Sequence, residues 1–266
     1  MKLKRDKAFQ SFTTYIDVLN NHRKFSFTLA DVLITLGIIG IVAALTLPTV
    51  INKIRTKELE TGLKRSYSLI SQALYLYQSE NEERLKQGDL NYNEKLKPIL
   101  MKYLKNVKDC GWGYDDADKA CIPNSFSNKY DPSTPNASNE YRTYNNERPI
   151  YSHHFDDGQF VLNDGSLILL DNAGTGEQQI MLISVDVNGY NKKPNRLGQD
   201  LFTFQITEKG DFLPMGAPGT KYHDKLDDYC STSSRDIRNG ITCSYKAMEI
   251  PESDTSFSQT MLSAYK

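Results

Sequence analysis

Little in this sequence points to a nucleic-acid partner or to catalysis. Its 32 basic and 33 acidic side chains give a formal net charge of −1, so the chain has no basic excess with which to neutralise phosphates. It contains no GxSxG, HExxH or Walker sequence, and Gly174-Thr175-Gly176 lacks the third glycine of a dinucleotide-binding turn. His153 and His154 are adjacent, so on a strand they would point to opposite faces. The sequence therefore predicts a protein that is not an enzyme.

Cysteine is scarce, and none of it forms a CxxC pair. The four cysteines are Cys110, Cys121, Cys230 and Cys243. Three connectivities exist, and loop closure favours the two local bonds, Cys110 with Cys121 and Cys230 with Cys243, because short loops lose less entropy on closing. Each bond would contribute on the order of 3 kcal/mol to stability. Paired cysteines predict an oxidising compartment for this part of the chain.

Charge is absent from one long stretch near the N-terminus. Val32 to Val50 contain no charged residue and eleven Leu, Ile or Val side chains. At about 1.5 Å per residue, a helix over residues 27–50 would be about 36 Å long, enough to cross a hydrocarbon core about 30 Å thick. Six basic and only two acidic residues precede Phe27, where this helix would begin. This bias predicts a cytoplasmic N-terminus and places the chain after Val50 outside.

A cleaved signal peptide is the alternative interpretation of this run, with Val42-Ala43-Ala44 as its cleavage site. The helical pattern nevertheless continues past the run, because apolar residues recur at steps of three and four in the next segment. These residues are Leu59, Leu63, Tyr67, Ile70, Leu74 and Tyr77. Pro48 interrupts the pattern and predicts a kink. We therefore expect one long bent helix, membrane-spanning over residues 27–50 and amphipathic over 51–83.

The start of this helix resembles the precursor motif of type IV pilins and type II secretion pseudopilins, Gly-Phe-Thr-Leu-x-Glu before an apolar helix. The chain reads Ser26-Phe27-Thr28-Leu29-Ala30-Asp31, and Pro48 lies at the kink position familiar from that family. The resemblance implies that residues 1–26 are a cytoplasmic leader. A prepilin peptidase would cut between Ser26 and Phe27 and methylate the new amine of Phe27. The chain departs from the pattern twice, with Ser26 in place of Gly and Asp31 in place of Glu.

A carboxylate at position 31 has a physical use in such a filament. The freed α-amine of Phe27 in one subunit lies at membrane depth and needs an anionic neighbour. Asp31 of an incoming subunit would supply that charge and remove two costly unpaired charges from an apolar bundle. The alternatives are an Asp that faces lipid headgroups, or one that is favoured by the helix dipole.

Residues 84–266 are predicted to form one extracytoplasmic domain, which makes the whole chain α+β. We expect a short helix over 94–105, a long polar loop over 106–148, and four strands at 159–162, 166–170, 179–187 and 201–207, with a hairpin turn at Asp164-Gly165. An antiparallel sheet of about four strands would then pack on the long helix. This is also the pilin-like fold that the resemblance implies, and the Cys230–Cys243 loop resembles the disulfide-closed end of many pilins.

The connection between the last two predicted strands is rich in oxygen ligands. Asp186, Asn188, Asn195 and Asp200, with backbone carbonyls, could wrap a calcium ion. The segment is not an EF-hand, because the twelfth position from Asp186 is Leu197 and not Glu. It resembles an NG-x-PN-x-G-x-D segment of pseudopilin-like proteins, some of which hold calcium nearby. A turn closed by its own Asp and Asn side chains is the alternative.

The predicted function is that of a structural subunit of a type IV pilus or of a type II protein-secretion pseudopilus. The expected partners are the prepilin peptidase, sister subunits, the filament assembly machinery and the membrane, and calcium is the one cofactor considered. The protein would be a single-pass protein of the bacterial inner membrane before it enters an extracytoplasmic filament. The alternative is an uncleaved, membrane-anchored extracytoplasmic binding domain that does not polymerise.

Overall fold

The computed structural model describes residues 28–89, 96–112, 120–122, 141–150, 155, 157–172 and 180–248. The chain divides into two compact units at a boundary between Ile54 and Arg55. One helix, α1 (Leu29–Asn81), continues through this boundary. The predicted helix therefore exists, and it ends two residues before the predicted end.

The part of α1 before the boundary is apolar and exposed. No residue from Leu29 to Ile54 is buried, and the large apolar side chains of this part are between 43% and 77% exposed. Within the described residues, α1 is the one helix long and apolar enough to cross a membrane. Pro48 lies inside it, with helical residues on both sides, and the kink at this position stays a prediction.

Beyond the boundary, one face of α1 is buried against the sheet of the second unit. Leu63, Tyr67, Ile70 and Leu74 belong to its core, as their helical spacing predicts. The ring of Tyr67 stacks on that of Phe212 with 5.3 Å between centroids, and its hydroxyl donates to the Phe212 carbonyl at 3.1 Å. Burial of this face joins the helix to the sheet.

The sheet has six antiparallel strands and not about four. The strands follow one another in chain order: β1 (Asn106–Asp109), β2 (Gln159–Leu162), β3 (Leu167–Asp171), β4 (Met181–Asp186), β5 (Leu201–Ile206) and β6 (Phe212–Pro214). The four central strands match the predicted ones to within two residues at each end. The prediction missed β1 and β6 because both are edge strands, one mostly exposed and one three residues long and ending in proline.

Both faces of the sheet are covered, so its central strands show no alternation of apolar and polar residues. Ile168, Ile183 and Phe204 face α1 and the short helix α2 (Leu96–Tyr103), within the predicted range 94–105. Their strand neighbours Leu169 and Leu182 face a second core on the opposite side. Strands buried on both faces are rich in apolar residues throughout, which explains why β3, β4 and β5 are entirely buried.

The second core is covered by segments that the sequence pattern did not identify as core. Tyr141, Ile150 and Phe155 come from the region predicted as a polar loop and from the residues just after it, and all three are buried. The C-terminal region adds Tyr229 and Ile241 to this core. It also contains a 3-10 turn (His223–Lys225) and the short helix α3 (Cys243–Ala247), whose Ala247 packs against the core on the α1 side. The predicted loop 106–148 is therefore partly wrong, since it also contains β1; residues 113–119 and 123–140 lie outside the described residues.

Two substitutions on α1 test the contact between this helix and the sheet. Ile70 is fully buried and Leu76 is 46% exposed. We expect Ile70→Ala to lower the free energy of unfolding by about 2–5 kcal/mol through the cavity it leaves. Leu76→Ala on the exposed face should change it by about 0.5 kcal/mol or less. Urea unfolding of the full chain in detergent, followed by the fluorescence of the single tryptophan, Trp112, measures both; equal losses would contradict this packing.

Candidate functional site

The first turn of α1 is closed by a capping box formed by Thr28 and Asp31. The Thr28 hydroxyl accepts a hydrogen bond from the Asp31 amide at 3.2 Å. In return, Asp31 Oδ2 accepts bonds from the Thr28 amide at 3.0 Å and from its hydroxyl at 2.8 Å. Such reciprocal bonds satisfy donors that a helix start otherwise leaves unpaired. Asp31 therefore caps its own helix, a contact that we did not predict, although the Thr-x-x-Asp spacing was a readable signal.

The capping box leaves the Asp31 carboxylate able to bind a further donor. An ionised carboxylate has about four acceptor positions, and the box uses two of them, both on Oδ2. The side chain is fixed at the start of an exposed apolar helix. Ser26 and Phe27, the predicted cleavage and methylation site, lie outside the described residues.

Both predicted local disulfides are present in the structure. Cys110 is bonded to Cys121, with 5.2 Å between their α carbons, and Cys230 to Cys243, with 5.0 Å. The loop closed by the second bond is held from inside by Asn239. The Asn239 side chain accepts from the Ser231 amide at 3.1 Å and donates to the Ser231 carbonyl at 2.8 Å. This part of the chain is therefore stapled by bonds that need an oxidising compartment.

Asp186, the first predicted calcium ligand, is fully buried at the end of β4. Its Oδ1 accepts from the amides of Asn188 (3.2 Å) and Gly189 (2.9 Å), and its Oδ2 accepts from the hydroxyl of Tyr141 (2.5 Å). Burial, and secondly the charge of nearby Asp200, raise the pKa of Asp186 to about 7. An opposite charge at this position would relieve that cost.

Asp200 lies just before the start of β5, beside the end of β4, where Asp186 pairs with Leu201. One of its oxygens accepts from the Asn195 amide at 2.7 Å and the other from the Arg196 amide at 2.6 Å. Burial raises the pKa of Asp200 above its ordinary value, against these bonds, which lower it. Two buried carboxylates thus lie at one end of the β4–β5 pair, and each is hydrogen-bonded to the loop between them.

The two predicted amide ligands each contain a buried oxygen without a hydrogen-bond partner among the described residues. These are Asn188 Oδ1 and Asn195 Oδ1. The nitrogen of the Asn195 side chain, by contrast, donates to the Tyr190 carbonyl at 2.9 Å. Buried acceptors are normally satisfied, so two orphaned oxygens beside two carboxylates fit a hard cation such as calcium. No cluster of three His, Cys, Asp or Glu side chains occurs in the described part of the chain, so amide and carbonyl oxygens would have to complete the shell.

The same loop also packs closely against other parts of the domain. Gly189 has φ +81°, and a β carbon there would lie 2.4 Å from the Gly165 carbonyl oxygen in the β2–β3 turn. Gly198 has φ +78°, and its β carbon would lie 2.6 Å from that of Cys243. The alternative interpretation, a turn closed by its own Asp and Asn side chains, is also realised, because Asp186, Asp200 and Asn195 bond to backbone groups of this loop. We did not predict these contacts, although both glycines are visible in the sequence.

Comparisons with family models, with curated proteins and with solved structures find no match to this chain.

Alanine substitutions at Gly165 and Gly189, in two turns that contact each other, distinguish the cost of backbone strain from the cost of a steric clash. Gly165 (φ +89°) and Gly189 (φ +81°) share a left-handed conformation, but a β carbon at Gly165 would meet nothing within 4 Å. We expect Gly165→Ala to lower the free energy of unfolding by about 1–2 kcal/mol, the cost of that conformation for an L-residue. Gly189→Ala should cost clearly more, because its methyl group overlaps a carbonyl oxygen. Urea unfolding measures both, and equal losses would show that the close approach is absent.

Proposed function

We propose that this protein is a structural subunit of an extracytoplasmic filament of the type IV pilus or type II secretion pseudopilus kind. It is made as a precursor, anchored in the bacterial inner membrane with its N-terminus in the cytoplasm, and cut between Ser26 and Phe27 by a prepilin peptidase. The observation that carries the proposal is the construction of α1. One continuous helix exposes apolar side chains from Leu29 to Ile54 and buries a single face from Leu63 to Leu74.

An apolar surface of this length cannot remain in water. A helix over Leu29 to Ile54 is about 39 Å long, which is enough to cross the hydrocarbon core of a bilayer, about 30 Å thick. Its exposed Leu, Ile and Val side chains suit that apolar environment. Lipid covers them before assembly, and the same helices of sister subunits cover them in the filament. Gly37 and Gly40 have open space around their α carbons, which suits close approach of another helix.

The charge of Asp31 sets the position of each subunit along the helix of its neighbour. The capping box holds the carboxylate at the first turn of α1. The methylated amine of Phe27 on a neighbouring subunit pairs with that carboxylate inside the apolar bundle, because each charge is costly there alone. The substitution of Asp for the family's usual Glu preserves the charge and shortens the side chain by one methylene.

Three substitutions of Asp31 separate charge pairing from helix capping. Asn keeps an oxygen that can accept from Thr28 but has no charge, Glu keeps the charge, and Ala removes both. In cells that contain the peptidase and the assembly machinery, we expect Asp31→Glu to keep filaments and both Asp31→Asn and Asp31→Ala to lose them. Sheared surface fractions and electron microscopy measure assembly, and protein abundance serves as the control. Filaments at normal yield in Asp31→Asn would leave capping as the only role of this residue.

The loop between β4 and β5 supports a second proposal, that the filament domain binds calcium. The supporting observation is the pair of orphaned oxygens, Asn188 Oδ1 and Asn195 Oδ1, beside the carboxylates of Asp186 and Asp200. The side-chain oxygens of Asp186, Asn188, Asn195 and Asp200 would coordinate a bound calcium ion, and the ion would stabilise the loop. The ion has no catalytic role in this account.

Calcium binding is tested by the unfolding temperature of the full chain in detergent, with calcium, with magnesium or with a chelator. A ligand at about 100 times its dissociation constant stabilises by about 2.7 kcal/mol, so calcium should raise the unfolding temperature by several degrees. Asp200→Asn should abolish this rise, while Asp228→Asn, at an exposed carboxylate far along the chain, should keep it. No rise in the parent chain, or an equal rise in Asp200→Asn, would exclude this site without affecting the filament proposal.

A further inference from the structure

Basic side chains gather where α1 leaves its exposed apolar part. Arg55 and Lys57 follow Ile54 directly on the helix, and both are exposed. The Arg55 guanidinium donates to the backbone carbonyl of Lys193 at 2.5 Å. This hydrogen bond brings the tip of the β4–β5 loop, with exposed Lys192, to the level of Arg55 on the helix axis.

The loop side of this surface carries basic charge only, whereas α1 adds one exposed acidic side chain, Glu58, directly after Lys57. No acidic residue lies between Asp186 and Asp200, and both of these carboxylates are buried and bonded to backbone amides. Among the described residues, neither Arg55 nor Lys192 forms an ion pair. Lys57 lies 3.5 Å from Glu60, but its side chain is 74% exposed, so solvent screens that contact. Cations held together in this way attract an anionic surface.

The position of Arg55 and Lys57 along α1 indicates which anionic surface they would meet. The helix from Leu29 to Ile54 is about 39 Å long, whereas a bilayer has a hydrocarbon core about 30 Å thick and measures about 40–45 Å with its headgroups. The predicted membrane span ends at Val50, and Arg55 lies five residues, about 8 Å, beyond it, after Lys53. In an anchored chain it lies in the headgroup layer, and Lys192 lies at the same level.

We propose that the surface formed by Arg55, Lys57 and Lys192 binds anionic phospholipid headgroups on the outer face of the membrane. This inference rests on the proposed membrane anchoring and adds a lipid preference to it. Each cation near an anionic lipid surface contributes about 1 kcal/mol, and the attraction falls off within about 8 Å at physiological salt. Headgroup binding holds the second unit against the membrane until the subunit is extracted.

Amine labelling of the full chain in nanodiscs tests the inference. The discs contain phosphatidylcholine alone or a mixture with phosphatidylglycerol, and mass spectrometry follows the acetylation rate of single lysines. We expect phosphatidylglycerol to slow labelling of Lys192 by about fivefold, the factor for about 1 kcal/mol. Lys209 is the internal control, because it is exposed and adjoins Gly210, which packs on Arg84 just past the far end of α1. Its rate should not change, and high salt should restore the rate at Lys192.

Three results would overturn the inference. An unchanged Lys192 rate in chains that are embedded in phosphatidylglycerol discs would exclude headgroup binding and leave the anchor intact. Equal slowing at Lys209 would show a general effect of the lipid on the reagent. Chains that fail to enter either kind of disc would instead refute the anchoring, and the filament proposal with it. The variant Lys57→Gln should reduce the slowing at Lys192, whereas Lys221→Gln should leave it unchanged.

Discussion

The contact between one face of α1 and the sheet is the interaction on which the rest of the molecule depends. Tyr67 lies against both Phe204 and Phe212, with ring centroids 5.6 and 5.3 Å apart, and Ile70 is fully buried beside them. Burial of this face fixes one half of a single long helix to a folded domain. The other half remains an exposed apolar rod that needs lipid or other helices around it. The proposed anchoring and the proposed assembly both rest on that division of one helix.

The second face of the sheet explains the chemistry of the β4–β5 loop. A second core covers this face, so the end of β4 lies in an apolar environment, and Asp186 is fully buried there. Burial raises the pKa of Asp186 and of Asp200. Backbone amides of the loop donate to both carboxylates, and the hydroxyl of Tyr141, from a separate segment, donates to Asp186. The same loop reaches Arg55 on α1 and Gly165 in the β2–β3 turn. A cation at this position would stabilise a junction between several parts of the domain.

The periodic parts of the fold could be predicted from the sequence. The helical spacing from Leu63 to Leu74 and the apolar runs of β2 to β5 are long signals, and the Asp164-Gly165 turn joins β2 to β3 as predicted. Edge strand β1 was missed because its burial is slight, and β6 because it is only three residues long. The second core was missed because Tyr141, Ile150 and Phe155 belong to no periodic run. Their burial depends on tertiary contacts that no local pattern encodes.

The candidate site shows the same limit. The sequence indicated Asp31, Asp186, Asn188, Asn195 and Asp200, and the structure adds what each of them contacts. The partnership of Asp31 with Thr28, the orphaned amide oxygens and the bond from Arg55 to the loop all depend on distances. The first of these supports the hypothesis about assembly, the second the hypothesis about calcium, and the third the hypothesis about lipid.

The N-terminal residue of the protein purified from cells tests the central claim most directly. The account predicts, by intact mass and peptide mass spectrometry, a chain that begins at Phe27 with a methylated amine. In the proposed filament, this amine of one subunit pairs with the Asp31 carboxylate of its neighbour. A chain that still begins at Met1 would contradict the account and support an uncleaved anchor, and a chain that begins at Leu45 would show a cleaved signal peptide and no filament subunit.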